Sequence, residues 1–160
     1  MDTNQSDERK IEVQEKLANG QITIAEAVGI SREQLYAIAR RGYQLFNSGK
    51  LEDAKQIYAG LVAADPFDSV FHCHLGSVLW RMGDVEQAFD EYNASIRLNI
   101  ANVDALAARG EIYLQKGELK SGIEDLKKAV ESDQKGQHPA SVRARALLLS
   151  LQREAKKQTA

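Results

Sequence analysis

The stretch RRGYQLFNSGKLEDAKQIYAGLVAADP, residues 40–66, decides the fold. It carries one glycine inside what reads as a helix, a second at a turn, and a proline at its end. The pattern returns in HLGSVLWRMGDVEQAFDEYNASI, residues 74–96, and in ARGEIYLQKGELKSGIEDLKKAV, residues 108–130. Gly42, Gly76 and Gly110 lie 34 residues apart, and so do Gly49, Gly83 and Gly117. Leu51, Val85 and Leu119 keep that step, as do Ala54, Ala88 and Gly122, then Tyr58, Tyr92 and Leu126, then Val62, Ile96 and Val130. A glycine costs a helix interior about 1 kcal/mol against alanine, so its return at a fixed period needs a reason. Two helices passing too closely for a Cβ supply one, with Ala54 and Ala88 on the facing helix serving the same contact. The second glycine of each pair then ends the first helix in a left-handed conformation.

A period of 34 is that of the tetratricopeptide repeat, with an aromatic-x₂-Leu-Gly-x₂-Tyr helix, then Ala-x₃-Phe, then proline. The second copy reads His72-x₂-Leu75-Gly76-x₂-Leu79, then Ala88-x₃-Tyr92. The first reads Ile38-x₂-Arg41-Gly42-x₂-Leu45, then Ala54-x₃-Tyr58, and closes on Pro66. The third reads Leu106-x₂-Arg109-Gly110-x₂-Tyr113, then Gly122-x₃-Leu126, with Gln134 in the proline slot. The expected fold is therefore all-α: three helix-turn-helix repeats in a right-handed solenoid, at about 35–68, 69–102 and 103–134. An N-terminal helical region, 8–30, precedes them and a C-terminal capping helix, 138–156, closes them. Residues 1–7 are polar and expected to lack order. Thr23 with Glu26 and Ser31 with Gln34 read as capping boxes, and Asp84 before Gln87 is a further helix start. Pro139 suits the first turn of the last helix. Its Leu147, Leu148, Leu149 and Leu151 are expected to cover the open end of the third repeat, as a solenoid requires.

Composition narrows the function. A chain of 160 residues suits one domain with a real core. The formal charge of −2 gives no basic field for nucleic acid. No apolar run approaches the length of a membrane span, so neither nucleic acid nor membrane insertion is expected. The single cysteine, Cys73, cannot form an internal disulfide. FHCHL groups His72, Cys73 and His74, but consecutive helical residues point about 100° apart, so the three cannot hold one metal; His72 sits in a core slot of the repeat. GKLEDAK lacks the frame of a phosphate loop. No catalytic group, metal or cofactor is expected, and no enzyme.

What remains is the surface that stacked helix pairs create. The first helix of each pair lines the inner, concave side. Helical spacing from the ladder glycines puts Tyr36, Ala39, Tyr43 and Phe46 there from the first repeat, and Val70, Cys73, Ser77 and Trp80 from the second. The third adds Asp104, Ala107, Glu111 and Leu114. The groove so built is apolar at one end and partly acidic at the other, and large aromatics in a hollow are what peptide recognition favours. Repeat domains that grip the acidic tails of heat-shock chaperones use a clamp of lysine, asparagine and arginine on this face. The places here hold Ala39, Tyr43, His74, Asp104 and Ala108, so that ligand is not expected.

From about Asn19 to Val130 the chain resembles the class II chaperones of bacterial type III secretion, which escort pore-forming translocators. NGQITIAEAVGISREQLYAIARRGYQLFNSGKLEDA is similar to that family's entry, VAADPFDSVFHCHLGSVLWRMGDVEQAFDEY to its second block, and EIYLQKGEL to its third. The resemblance implies a cytoplasmic chaperone that holds an extended segment of a hydrophobic secreted translocator in its concave groove. The cargo stays soluble and export-competent, and no ATP is used. It also implies a homodimer through residues 8–30, where Ile11, Val13, Leu17, Ile22 and Ile24 are apolar. The alternative is a general repeat scaffold or adaptor that joins folded partners through the same groove. Two departures from the family stand out: a first repeat helix about a turn longer, and Gly122 where alanine is usual.

Overall fold

Gly83 ends a helix at φ +90°, a conformation that a Cβ makes costly, and its ladder mates Gly49 and Gly117 do the same at +80° and +79°. The computed structural model describes the backbone of residues 2–158 and the side chains of residues 8–157. Among these the chain forms nine helices and no strand: α1 (Asp2–Ala18), α2 (Ile24–Ala27), α3 (Arg32–Asn47), α4 (Leu51–Ala64), α5 (Ser69–Met82), α6 (Val85–Leu98), α7 (Val103–Gln115), α8 (Leu119–Ser132) and α9 (Pro139–Gln158). The pairs α3/α4, α5/α6 and α7/α8 are the three repeats. The chain divides into two compact units, Met1–Phe67 and Asp68–Ala160. Length alone suggests one domain, and the repeat period runs through the division without marking it.

In the first unit, α1 takes in residues 2–7, which the sequence reading leaves without order; Met1 lies outside the described residues. Lys16 pairs with Glu12 at 2.6 Å, one turn apart with the acid N-terminal, the orientation a helix favours. Both capping boxes form. Glu26 N donates to Thr23 Oγ1 at 3.2 Å while Thr23 N donates to Glu26 Oε2 at 2.7 Å, and Ser31 and Gln34 exchange the same bonds at 3.3 and 2.8 Å. Helix α3 buries Leu35, Ala39 and Gly42, and α4 buries Ala54, Tyr58 and Leu61. A Cβ on Gly42 would stand 2.9 Å from Ile57 and 3.0 Å from the Tyr58 ring. The Tyr58 hydroxyl, carried into this core, donates to the Ala39 carbonyl at 2.9 Å, so its polar tip is satisfied.

In the second unit, Asp68 caps α5 by accepting from Val70 N at 2.8 Å, and Asp84 caps α6 by accepting from Gln87 N at 3.3 Å. The departure at Gly122 has a packing reason. A Cβ there would lie 2.7 Å from Leu114 Cδ2 and 3.0 Å from the Gly110 carbonyl, so Leu114 occupies the room that alanine would take. Two polar ties bind the helices. Arg109 forks onto Asp125 at 2.6 and 2.9 Å and reaches Asn93 at 2.8 Å, joining α7 to α8 and α6. Asn102 donates to Ser69 Oγ at 2.9 Å and Ser95 Oγ at 3.1 Å, joining the start of α7 to α5 and α6. Helix α9 closes the end, but chiefly through small residues: Ala140 and Ala144 join Leu106, Ala107, Leu126 and Ala129 in the core. Leu147 and Leu148 pack against that core as expected. Leu149 does not, being 50% exposed, because it falls on the opposite side of α9.

Candidate functional site

Tyr36 and Tyr43 stand two turns apart on α3, and their face is not consumed by packing. Tyr43 is 50% exposed, while Tyr36 and Phe46 are half-buried. The Arg32 guanidinium lies 5.7 Å from the Tyr36 ring centroid, a cation–π distance. Ala39, placed on this face by spacing, is buried, and its carbonyl is the acceptor for Tyr58; it backs the face and presents no side chain. In the same unit Ile11 and Ile24 are exposed, and Val13, Leu17 and Ile22 are half-buried. Val28 and Ile38 are exposed as well, which the sequence reading did not foresee. Ile38 occupies the motif slot of His72 and Leu106, yet those two are buried and it is not.

In the second unit, Trp80 is half-buried, with its ring edge-on to Tyr92 at 6.3 Å between centroids. One turn back, Ser77 Oγ donates to the Cys73 carbonyl at 3.0 Å and accepts from the Tyr92 hydroxyl at 3.2 Å. Val70 lies exposed near the start of α5. Leu114, on α7, is half-buried against the α7–α9 core. Ala107 is a correction: at 0% exposure it is sealed among α8 and α9 residues and cannot touch a bound segment. Cys73 is also buried. Burial pushes its thiol far above the usual range, and the Asp104 charge pushes the same way. A raised thiol value disfavours the thiolate, the form that acts as a nucleophile. The Tyr92 hydroxyl is likewise pushed up, first by burial, with its bond to Ser77 opposing and the charges of Glu111 and Asp104 adding. The two acids on α7 are thus felt by groups on α5 and α6.

Those acids are met from α9 and its lead-in. Asp104 Oδ2 lies 3.4 Å from His138 Nε2, and Glu111 Oε1 lies 3.6 Å from Arg143 Nε. No repeat ladder could have shown this, because the groups that meet these acids come from outside the ladder. His72, read as a core residue, is buried with Nδ1 at 2.6 Å from Glu91 Oε2. Burial holds the His74 imidazole below its ordinary value, against the opposing charges of Asp104 and Asp68. Among the described residues no three His, Cys, Asp or Glu side chains gather as a metal site would need, and no helix is long and apolar enough to cross a membrane.

The tetratricopeptide repeat family matches residues 39–102 and 75–141. Low calcium response locus protein H of Yersinia pestis is 37% identical over 87 residues, covering 54% of this chain and 50% of that protein. The chain spans half or less of the length of the first curated relatives it matches. The Yersinia enterocolitica type III secretion translocator chaperone SycD superposes with a TM-score of 0.71 at 28% identity, covering 81% of this chain and 98% of SycD. SycD in complex with a peptide of the translocator YopD superposes at 0.68 with 27% identity, covering 79% of this chain and 98% of that one. The resemblance drawn from the sequence therefore falls on the same proteins, and chaperones rather than enzymes are what this chain resembles.

Proposed function

The chain belongs to the tetratricopeptide-repeat family, and from that premise we propose that it is a bacterial, cytoplasmic chaperone for the hydrophobic translocators of type III secretion. The observation that carries this reading is the likeness to SycD over nearly the whole of SycD, a chaperone captured with a translocator peptide. The chain's own surfaces agree with it. Tyr36, Tyr43 and Phe46 in the first unit, and Val70, Trp80 and Leu114 in the second, keep apolar surface accessible on the first helices of their pairs. Each apolar Å² covered there is worth about 25 cal/mol, so burial of a few side chains holds an extended segment without a chemical step and without ATP. Ser77 and Glu111 supply polar contacts beside those apolar ones. Ile11, Val13, Leu17, Ile22 and Ile24, with Val28 beside them, form the surface through which two copies pair.

Co-expression with a candidate translocator tests the proposal. The insoluble translocator should become soluble in a defined complex. Tyr43→Glu and Trp80→Glu should each abolish that rescue while the far-ultraviolet helical signal stays intact. A chain that binds folded partners yet never rescues an insoluble one is the general adaptor instead.

A further inference from the structure

One oxygen on the α5–α7 face is only half answered. Glu111 Oε1 is closed off from water and receives no hydrogen bond. What faces it is Arg143 Nε of α9 at 3.6 Å, an ion-pair distance beyond hydrogen-bond range. A secluded carboxylate oxygen without a donor is costly, and a charged donor answers it best. Arg143 is 58% exposed against 23% for Glu111, so the guanidinium can swing into water while the carboxylate stays put. Two turns earlier on the same side of α7, Asp104 repeats the arrangement with His138 Nε2 at 3.4 Å. His138 Nδ1 accepts from Ala140 N, which leaves the ring proton on Nε2, facing Asp104. Both acids are therefore held by loose pairs from the capping helix and its lead-in. Both also act on Tyr92, and Asp104 on Cys73, so their field reaches across the face. A carboxylate in a bound segment would be repelled there, and a cation drawn in.

Resting on the reading of this face as a cargo site, we propose that Glu111 is a specificity-determining residue: it selects segments that carry a lysine or arginine among their apolar anchors. The cargo cation takes the place that Arg143 holds in the free chain. Asp104 favours the same charge but, more exposed, contributes less.

The test titrates the full chain with short synthetic segments of a translocator in which one position at a time is lysine, norleucine or glutamate. At one position lysine should bind about tenfold more tightly than norleucine, the worth of a charge-assisted hydrogen bond. Glu111→Gln, close in shape, should erase that preference while apolar binding persists. Glu111→Lys should turn it toward the glutamate segment. Arg143→Ala, which removes the competitor, should keep the preference and tighten the lysine segment. Apolar binding with no lysine preference at any position, or a preference untouched by Glu111→Gln, overturns this inference alone. If no segment binds the unaltered chain, the cargo reading of the face falls, and this inference with it.

Discussion

Tyr92 fills the space that a side chain on Gly76 would need. A Cβ there would stand 2.9 Å from Cε1 of the ring and 3.2 Å from the Ala88 carbonyl. The ring cannot give way easily, since Tyr92 is buried and its hydroxyl is tied to Ser77 at 3.2 Å.

Gly76→Ala should therefore destabilise the chain. Overpacking costs about 1–3 kcal/mol, against about 1 kcal/mol regained in helix propensity. We expect a net loss of up to about 2 kcal/mol and a lower Tm. Gly60 is the control: it lies within α4 with nothing within 4 Å of its Cβ position. Gly60→Ala should raise stability by about 0.5–1 kcal/mol. Thermal denaturation of both variants checks the pair, and a rise in Tm for Gly76→Ala would contradict the close-crossing account.

Arg109 and Asp125 are the ion pair whose loss should matter most. Asp125 has a side-chain exposure of 5%, so Arg109→Met strands a buried carboxylate. The expected cost is about 3–5 kcal/mol. The surface pair Lys128–Glu124, at 3.0 Å with both partners more than half exposed, should cost less than about 0.5 kcal/mol when Lys128 becomes methionine. Urea denaturation distinguishes the two, and equal losses would contradict the burial argument.

His74 should make stability depend on pH in a known direction. Burial disfavours its charged form, so its folded value lies below the ordinary 6.5 despite Asp104 and Asp68. As pH falls below that ordinary value, the unfolded chain takes up a proton that the folded chain refuses, and stability is lost down to the folded value. Between about pH 7.5 and pH 5.5 the unaltered chain should lose more stability than His74→Gln does. Equal losses in urea midpoints at the two pH values would contradict the assignment.

The repeat was legible because its punctuation is backbone chemistry. The left-handed glycines and the polar caps at Ser31 and Asp84 set helix ends directly, and α4, α6 and α8 start at the ladder residues Leu51, Val85 and Leu119. The beginning of α1 was not legible, because its polar residues carry no apolar period. Nor was the break after Phe67, since a period continues through a boundary. At the candidate site, spacing told which face a residue takes but not what covers it. Ala107 is the instance: spacing sets it with the inner face, yet α9 lays Ala140 and Ala144 into the same core. The partners of Glu111 and Asp104 were hidden for the same reason, since α9 repeats no ladder. Tyr43 is exposed and Trp80 half-buried.

Trp80 is the chain's sole tryptophan, half-buried on α5, and its fluorescence reports on the proposed cargo face without a label. The decisive measurement is the emission of the full chain during titration with a synthetic apolar segment of a translocator, with calorimetry in parallel. A saturable blue shift, tracking the heat of binding, is the predicted result. Heat of binding with unchanged Trp80 emission would contradict the account, because the segment would then rest somewhere else.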